Sequence, residues 1–136
     1  MAMPPGVPAD EKEELRETYD YKVVDDCRIK LDVHGAPGDG PRPVVVWIHG
    51  GALIMGHRGG IDRALLGALT KAGYVVVSID YRLAPETKLP AIVEDVQDAC
   101  RWVRERGPKR FHIAPGRLAV MGGSAGGYLI PNCLDD

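Results

Sequence analysis

Two apolar runs of strand length, Val44-Val45-Val46-Trp47-Ile48 and Leu118-Ala119-Val120-Met121, each lead straight into a glycine-framed turn. The first turn is His49-Gly50-Gly51-Ala52 and the second is Gly122-Gly123-Ser124-Ala125-Gly126. A continuous apolar run bounded by turn residues reads as a strand buried on both faces, the kind found in a parallel sheet. Tyr74 to Ile79 is a third such run, and helical periods separate the three. One helix is expected over 62–71 and is closed by Gly73, a residue suited to a left-handed cap. Another is expected over 90–106, where Ile92, Val93, Val96, Ala99, Cys100 and Val103 recur at three- and four-residue steps. Strands alternating with helices in this way predict an α/β fold.

Upstream of these runs, Tyr19 to Val24 and Cys27 to Val33 alternate apolar and polar residues around Asp25-Asp26, which predicts an antiparallel hairpin at a sheet edge. Residues 35–43 form a turn-rich connector. Residues 1–9 are proline-rich, and 10–16 suit at most a turn or two of polar helix. The chain is thus expected to be one domain, with a polar N-terminal extension over 1–18 and a sheet-forming part over 19–136. At 136 residues it can bury roughly two thirds of its unfolded surface.

Charge excludes some partners. With 17 basic and 19 acidic side chains dispersed along the sequence, the net charge of −2 leaves no electrostatic footprint for nucleic acid or an anionic membrane. No apolar stretch approaches the roughly 20 residues needed to span a bilayer, and the N-terminus has no secretory apolar segment, so a cytoplasmic protein is expected. Cys27, Cys100 and Cys133 are an odd number with no CxxC spacing, which predicts buried or idle thiols rather than a disulfide framework or a zinc site.

The serine turn carries the most direct chemical argument. A nucleophile held between a strand and a helix sits at a cramped corner, so its neighbours at ±2, Gly122 and Gly126, must be small. Ala125 then places its amide at the start of the following helix, where amide and dipole favour developing negative charge. A glycine-rich turn with an incidental serine would look the same locally. The loop after Ile48 distinguishes the two readings, because an oxyanion hole needs a second source of free amides, and Gly51 and Ala52 are the candidates. His49 and Gly50 are expected to hold that loop, with His49 a structural residue rather than a base. A phosphate-binding loop fails here, since His57-Arg58 stands where Lys and Ser/Thr are required after Gly51 and Gly56. No flavin, nicotinamide or metal signature appears, so no cofactor and no metal are expected.

Asp80-Tyr81-Arg82-Leu83-Ala84-Pro85-Glu86 follows the third apolar run, and with it the chain resembles the alpha/beta-hydrolase fold-3 family, the hormone-sensitive-lipase-like carboxylesterases. The His-Gly-Gly loop, Leu89-Pro90-Ala91 with Glu94-Asp95, Trp102 and Gly122 to Gly127 carry the same resemblance, which runs from about Pro43 to Tyr128. It implies a carboxylic-ester hydrolase acting on short acyl esters of uncharged alcohols, or on related amides, with Ser124 as nucleophile and Gly51, Ala52 and Ala125 as oxyanion donors. It implies loop support for Arg82 and Glu86, which could equally be a charged pair on a loop. Many members carry a third glycine where this chain has Ala52.

In the family, the acid and the histidine come from strands after the serine, and only twelve residues follow Ser124 here (136 − 124). A straight helix would leave Asp135 about 16 Å from it, and Pro131 opposes such a helix. His34, His57 and His112 precede the serine, in no motif that aims them at it. The expected fold is therefore the N-terminal half of an alpha/beta-hydrolase sheet, truncated after the nucleophile elbow and inactive alone. Its last strand would be an open edge prone to self-association. The alternatives are a non-catalytic, hydrolase-like interaction protein and an amidase or peptidase on the same fold.

Overall fold

The computed structural model describes residues 15–35, 40–123, 126, 127 and 129. Within them, five strands form one mixed sheet: β1 (Leu15–Val24), β2 (Cys27–Gly35), β3 (Arg42–Ile48), β4 (Val75–Ile79) and β5 (Ile113–Gly122). Their spatial order is β1-β2-β4-β3-β5. The hairpin β1/β2 and the pair β2/β4 are antiparallel, whereas β3 runs parallel to both β4 and β5. A hairpin followed by parallel strands with crossover helices was expected, and that is the arrangement found.

Helices cover both faces. Helix α1 (Arg63–Lys71) starts at Asp62, whose side chain accepts from the Leu65 amide, and ends beside Gly73 at φ +94°. Its Leu66 packs with Ile61 and Val76 on one face of the sheet. Helix α2 (Leu89–Phe111) has Pro90 in its first turn and lays Ile92, Val96, Ala99 and Val103 on the other face, against Val46, Val77 and Ile79. Because β3 and β4 are buried from both sides, they need their unbroken Val/Ile runs.

Four local expectations are corrected. β1 begins at Leu15, so 15–18 belong to the hairpin rather than to a helix or an extension; Thr18 donates to Asp32 across the strands at 2.6 Å. Helix α2 continues past Gly107 and Pro108 to Phe111, whose ring packs 5.5 Å from Tyr19 and 6.1 Å from Trp102. That aromatic burial compensates for the helix bond a proline removes. The Pro115-Gly116 turn lies inside β5, as an excursion between the pairs Arg42↔Ile113 and Val44↔Leu118. Finally, Cys100 is fully buried, as one form of the expectation had it, but disulfide-bonded rather than a free thiol, while Cys27 is exposed and free.

β5 was expected to be apolar on both faces. It is only half-buried, because among the described residues it pairs with β3 alone. No helix among these residues is long and apolar enough to cross a membrane.

Candidate active site

Parallel strands place their carboxyl ends together, and here Ile48 is in register with both Ile79 of β4 and Gly122 of β5. Three segments therefore leave the sheet side by side: the His49 loop, the Asp80-Tyr81-Arg82 segment and the Gly122 turn. In open α/β sheets, the crevice outside the carboxyl ends is where ligands bind.

Ser124 and Ala125 lie outside the described residues, as do Cys133, Pro131 and Asp135. Their flanks are described. The Gly126 amide donates to the Gly123 carbonyl at 2.9 Å, closing a tight turn between strand and helix. A Cβ on Gly126 would stand 2.0 Å from the Ile48 carbonyl oxygen and 2.8 Å from that of His49, and one on Gly122 would stand 2.7 Å from the Gly126 carbonyl carbon. All three distances are far inside van der Waals contact. Backbone-to-backbone approach brings the serine turn against the exit of β3, which is why glycines stand at these two positions.

The His49 loop turns sharply. Gly51 has φ +122°, and Ala52 and Leu53 occupy the left-handed region at +57° and +68°. The Gly51 carbonyl accepts from the amides of Ile54 and Met55, both at 3.1 Å, and the Leu53 carbonyl accepts from the Ala84 amide at 2.7 Å. His49 is 2% exposed, and its imidazole is stacked on Tyr81 with centroids 4.1 Å apart and planes 6° from parallel. Its Nδ1 lies 2.8 Å from the Gly50 carbonyl. A carbonyl can only accept, so Nδ1 carries the proton. Burial lowers the imidazole pKa below 6.5, partly opposed by that hydrogen bond, so His49 is uncharged at neutral pH.

The segment after β4 holds three neighbours with three consecutive side chains. Asp80 accepts from Arg58, from its backbone amide at 2.7 Å and from Nη1 at 2.6 Å, and so anchors the 3-10 turn Arg58–Gly60. Arg58 also reaches Asp32 at 2.9 Å. Tyr81 donates from its hydroxyl to the His49 carbonyl at 2.7 Å; burial pushes its pKa up to about 12, so it stays a donor. Arg82 pairs with Asp95 on α2, not with Glu86 as one reading of the loop had it. Sequence reasoning singled out this heptapeptide but missed Tyr81 and Arg58. The available signal was three polar side chains in succession at the exit of a buried strand.

The other histidines are placed elsewhere. His34 is buried on β2, His57 caps the 3-10 turn by accepting from the Gly59 amide at 3.0 Å, and His112 ends α2 in the left-handed region. No group of three or more His, Cys, Asp or Glu among the described residues could hold a metal ion.

Residues 45–134 match the family model described as alpha/beta hydrolase fold. The chain is 44% identical over 93 residues to Esterase LipI of Mycobacterium tuberculosis, covering 68% of this chain and 29% of that protein. It superposes on a solved bacterial heroin esterase with a TM-score of 0.78 at 29% identity, covering 92% of this chain and 39% of that one. For an esterase of Pyrobaculum calidifontis the TM-score is 0.76 at 37% identity, with coverage of 85% and 37%. The chain thus spans less than half the length of each of these proteins.

Proposed function

Since the chain belongs to the alpha/beta hydrolase fold family, we propose that it carries the nucleophile and oxyanion half of a serine carboxylic-ester hydrolase. Ser124 Oγ attacks the ester carbonyl carbon, the acyl C–O bond breaks and the alcohol leaves with a proton; water then releases the acid from the acyl-enzyme. The amides of Gly51, Ala52 and Ala125 donate to the oxyanion, while His49, Gly50, Gly122 and Gly126 hold the two turns. Short acyl esters of uncharged alcohols are the substrate class, in keeping with the esterases the chain resembles.

The observation that carries this reading is the contact of Gly126 with the carbonyls of Ile48 and His49. It supports reading the loop after Ile48 as the second source of amides that acyl transfer requires beside the nucleophile. His34, His57 and His112 serve the fold, so the base and its acid partner come from outside the described residues. Without them the serine is weakly nucleophilic, but a preformed oxyanion hole alone retains about 10³-fold acceleration over water.

Prolonged incubation with a fluorophosphonate followed by peptide mapping tests the assignment. Adduct on Ser124 and none on Ser78, formed faster than on N-acetylserinamide and abolished by Ser124→Ala, is expected. Reaction no faster than with N-acetylserinamide would overturn it. A second reading, self-association through β5, is favoured by that strand having one partner among the described residues.

A further inference from the structure

We propose that Tyr81 is a positioning residue for the oxyanion loop, fixing the carbonyl of His49 and through it the amides of Gly51 and Ala52. The proposal rests on the reading of those amides as oxyanion donors. Tyr81 is 4% exposed and makes two different contacts with one residue, a hydroxyl-to-carbonyl hydrogen bond of 2.7 Å and a ring stack at 4.1 Å. The first fixes where the His49 peptide points and the second fixes the imidazole plane.

This residue is the last of the regular strand exit before the soft Gly50-Gly51 pair. Beyond it, Ala52 and Leu53 occupy backbone conformations that non-glycine residues hold only when their surroundings enforce them. Within the loop the Gly51 carbonyl accepts from Ile54 and Met55, and the enforcing contacts from outside it include three from the segment after β4. Tyr81 holds the loop at His49, Ala84 holds it at the Leu53 carbonyl, and Asp80 holds its far end at Arg58. The His49 carbonyl also abuts the Gly126 backbone, so closely that a Cβ there would stand 2.8 Å from its oxygen. A shift of His49 toward the serine turn is blocked there, and a shift away from Tyr81 stretches its hydrogen bond. Since a misplacement of about 1 Å can cost about 10²-fold in rate, this seat sets the geometry of the hole.

The test is backbone ¹⁵N relaxation on the full chain and on Tyr81→Phe, which keeps the ring stack and deletes only the hydroxyl. Order parameters of Gly50, Gly51 and Ala52 are expected to fall from about 0.85 to below about 0.6, while Val45 and Val77 in the sheet stay unchanged. Unchanged values at the three loop amides overturn the proposal. Should Tyr81→Phe fail to fold, the wild-type chain decides. With ¹³Cζ-tyrosine in equal H₂O and D₂O, a hydroxyl held on the His49 carbonyl gives a split Tyr81 resonance, and a single averaged line overturns it. Neither readout requires reaction at Ser124, so a loosened loop with no fluorophosphonate adduct would reject the hydrolase reading and leave Tyr81 as the holder of this loop.

Discussion

Arg82 grips Asp95 with two parallel hydrogen bonds, Nε to Oδ2 and Nη2 to Oδ1, each 2.8 Å long. Its backbone amide adds a third bond at 3.0 Å, and Lys22 Nζ reaches the same carboxylate at 2.9 Å. One side chain with no solvent exposure therefore ties β1, α2 and the segment that carries Tyr81.

The acid dependence of stability follows from this carboxylate. Burial alone would raise its pKa, but the bonds from Arg82 and Lys22 outweigh that and hold it below 3.8. A depressed folded pKa contributes stability above the unfolded value and loses it as pH falls through the folded one. Asp95→Asn is expected to cost about 3 kcal/mol near neutrality, because Arg82 loses its buried counter-charge, while Lys22 keeps Asp98 at 2.6 Å. Urea melts at pH 7 and below about pH 4 check it: the variant should lose less stability on acidification than the wild type. Equal losses would show that Asp95 is not the acid-sensitive group.

Gly126→Ala probes the contact between the two turns. The added methyl would lie 2.0 Å from the Ile48 carbonyl oxygen, a backbone atom that cannot swing away. Overpacking of this kind costs about 1–3 kcal/mol and here must push the serine turn off β3. Thermal unfolding should show the loss, and ¹H–¹⁵N spectra should show shifts centred on His49 and Gly50. Wild-type stability would mean the two turns are further apart than described.

Much of this architecture was legible because one physical rule sufficed for each part. Val44 to Ile48 and Val75 to Ile79 are buried on both faces and so spell strands without alternation, and Asp62 and Gly73 bracket α1 with cap chemistry. What was not legible depends on contacts distant in sequence. The hairpin pairs with β4 rather than with β3, its next strand in sequence, and no local feature of Leu31 to His34 specifies that. Phe111 extends α2 only because Tyr19 and Trp102 are there to receive it. Similarly, Tyr81 reads as one more buried aromatic until His49 is seen beneath it, and Arg58 reads as an exposed loop cation until Asp32 and Asp80 converge on it.

Ala52 holds φ +57° on an exposed loop. A left-handed conformation costs an L residue about 1–2 kcal/mol, against about 0.5–1 kcal/mol of extra chain entropy lost by glycine. Ala52→Gly is therefore expected to stabilise the chain by up to about 1 kcal/mol, an unusual sign for a substitution to glycine. The loop amide at this position is retained, so fluorophosphonate labelling of Ser124 should persist. Chemical denaturation measures the stability change, and a loss above about 0.5 kcal/mol would show that Ala52 packs more than its exposure indicates.

The two edges of the sheet differ in a way that bears on association. β1 carries Arg16, Glu17, Asp20 and Lys22 and a register irregularity between Asp20 and Lys22, features that discourage a further strand. From Leu118 to Gly122, β5 has no charge and no proline, and its only partner among the described residues is β3. Pairing of β5 with β1 of another copy would run into those charges and would not close. Pairing of β5 with β5 is isologous and closes as a dimer. Light scattering across a concentration series is expected to show a monomer–dimer equilibrium. Ala119→Lys, at an exposed position in the middle of that stretch, should shift it to monomer without lowering the melting temperature of the dilute protein. A wild-type chain that stays monomeric at every concentration, or a dimer indifferent to Ala119→Lys, would remove β5 as the contact.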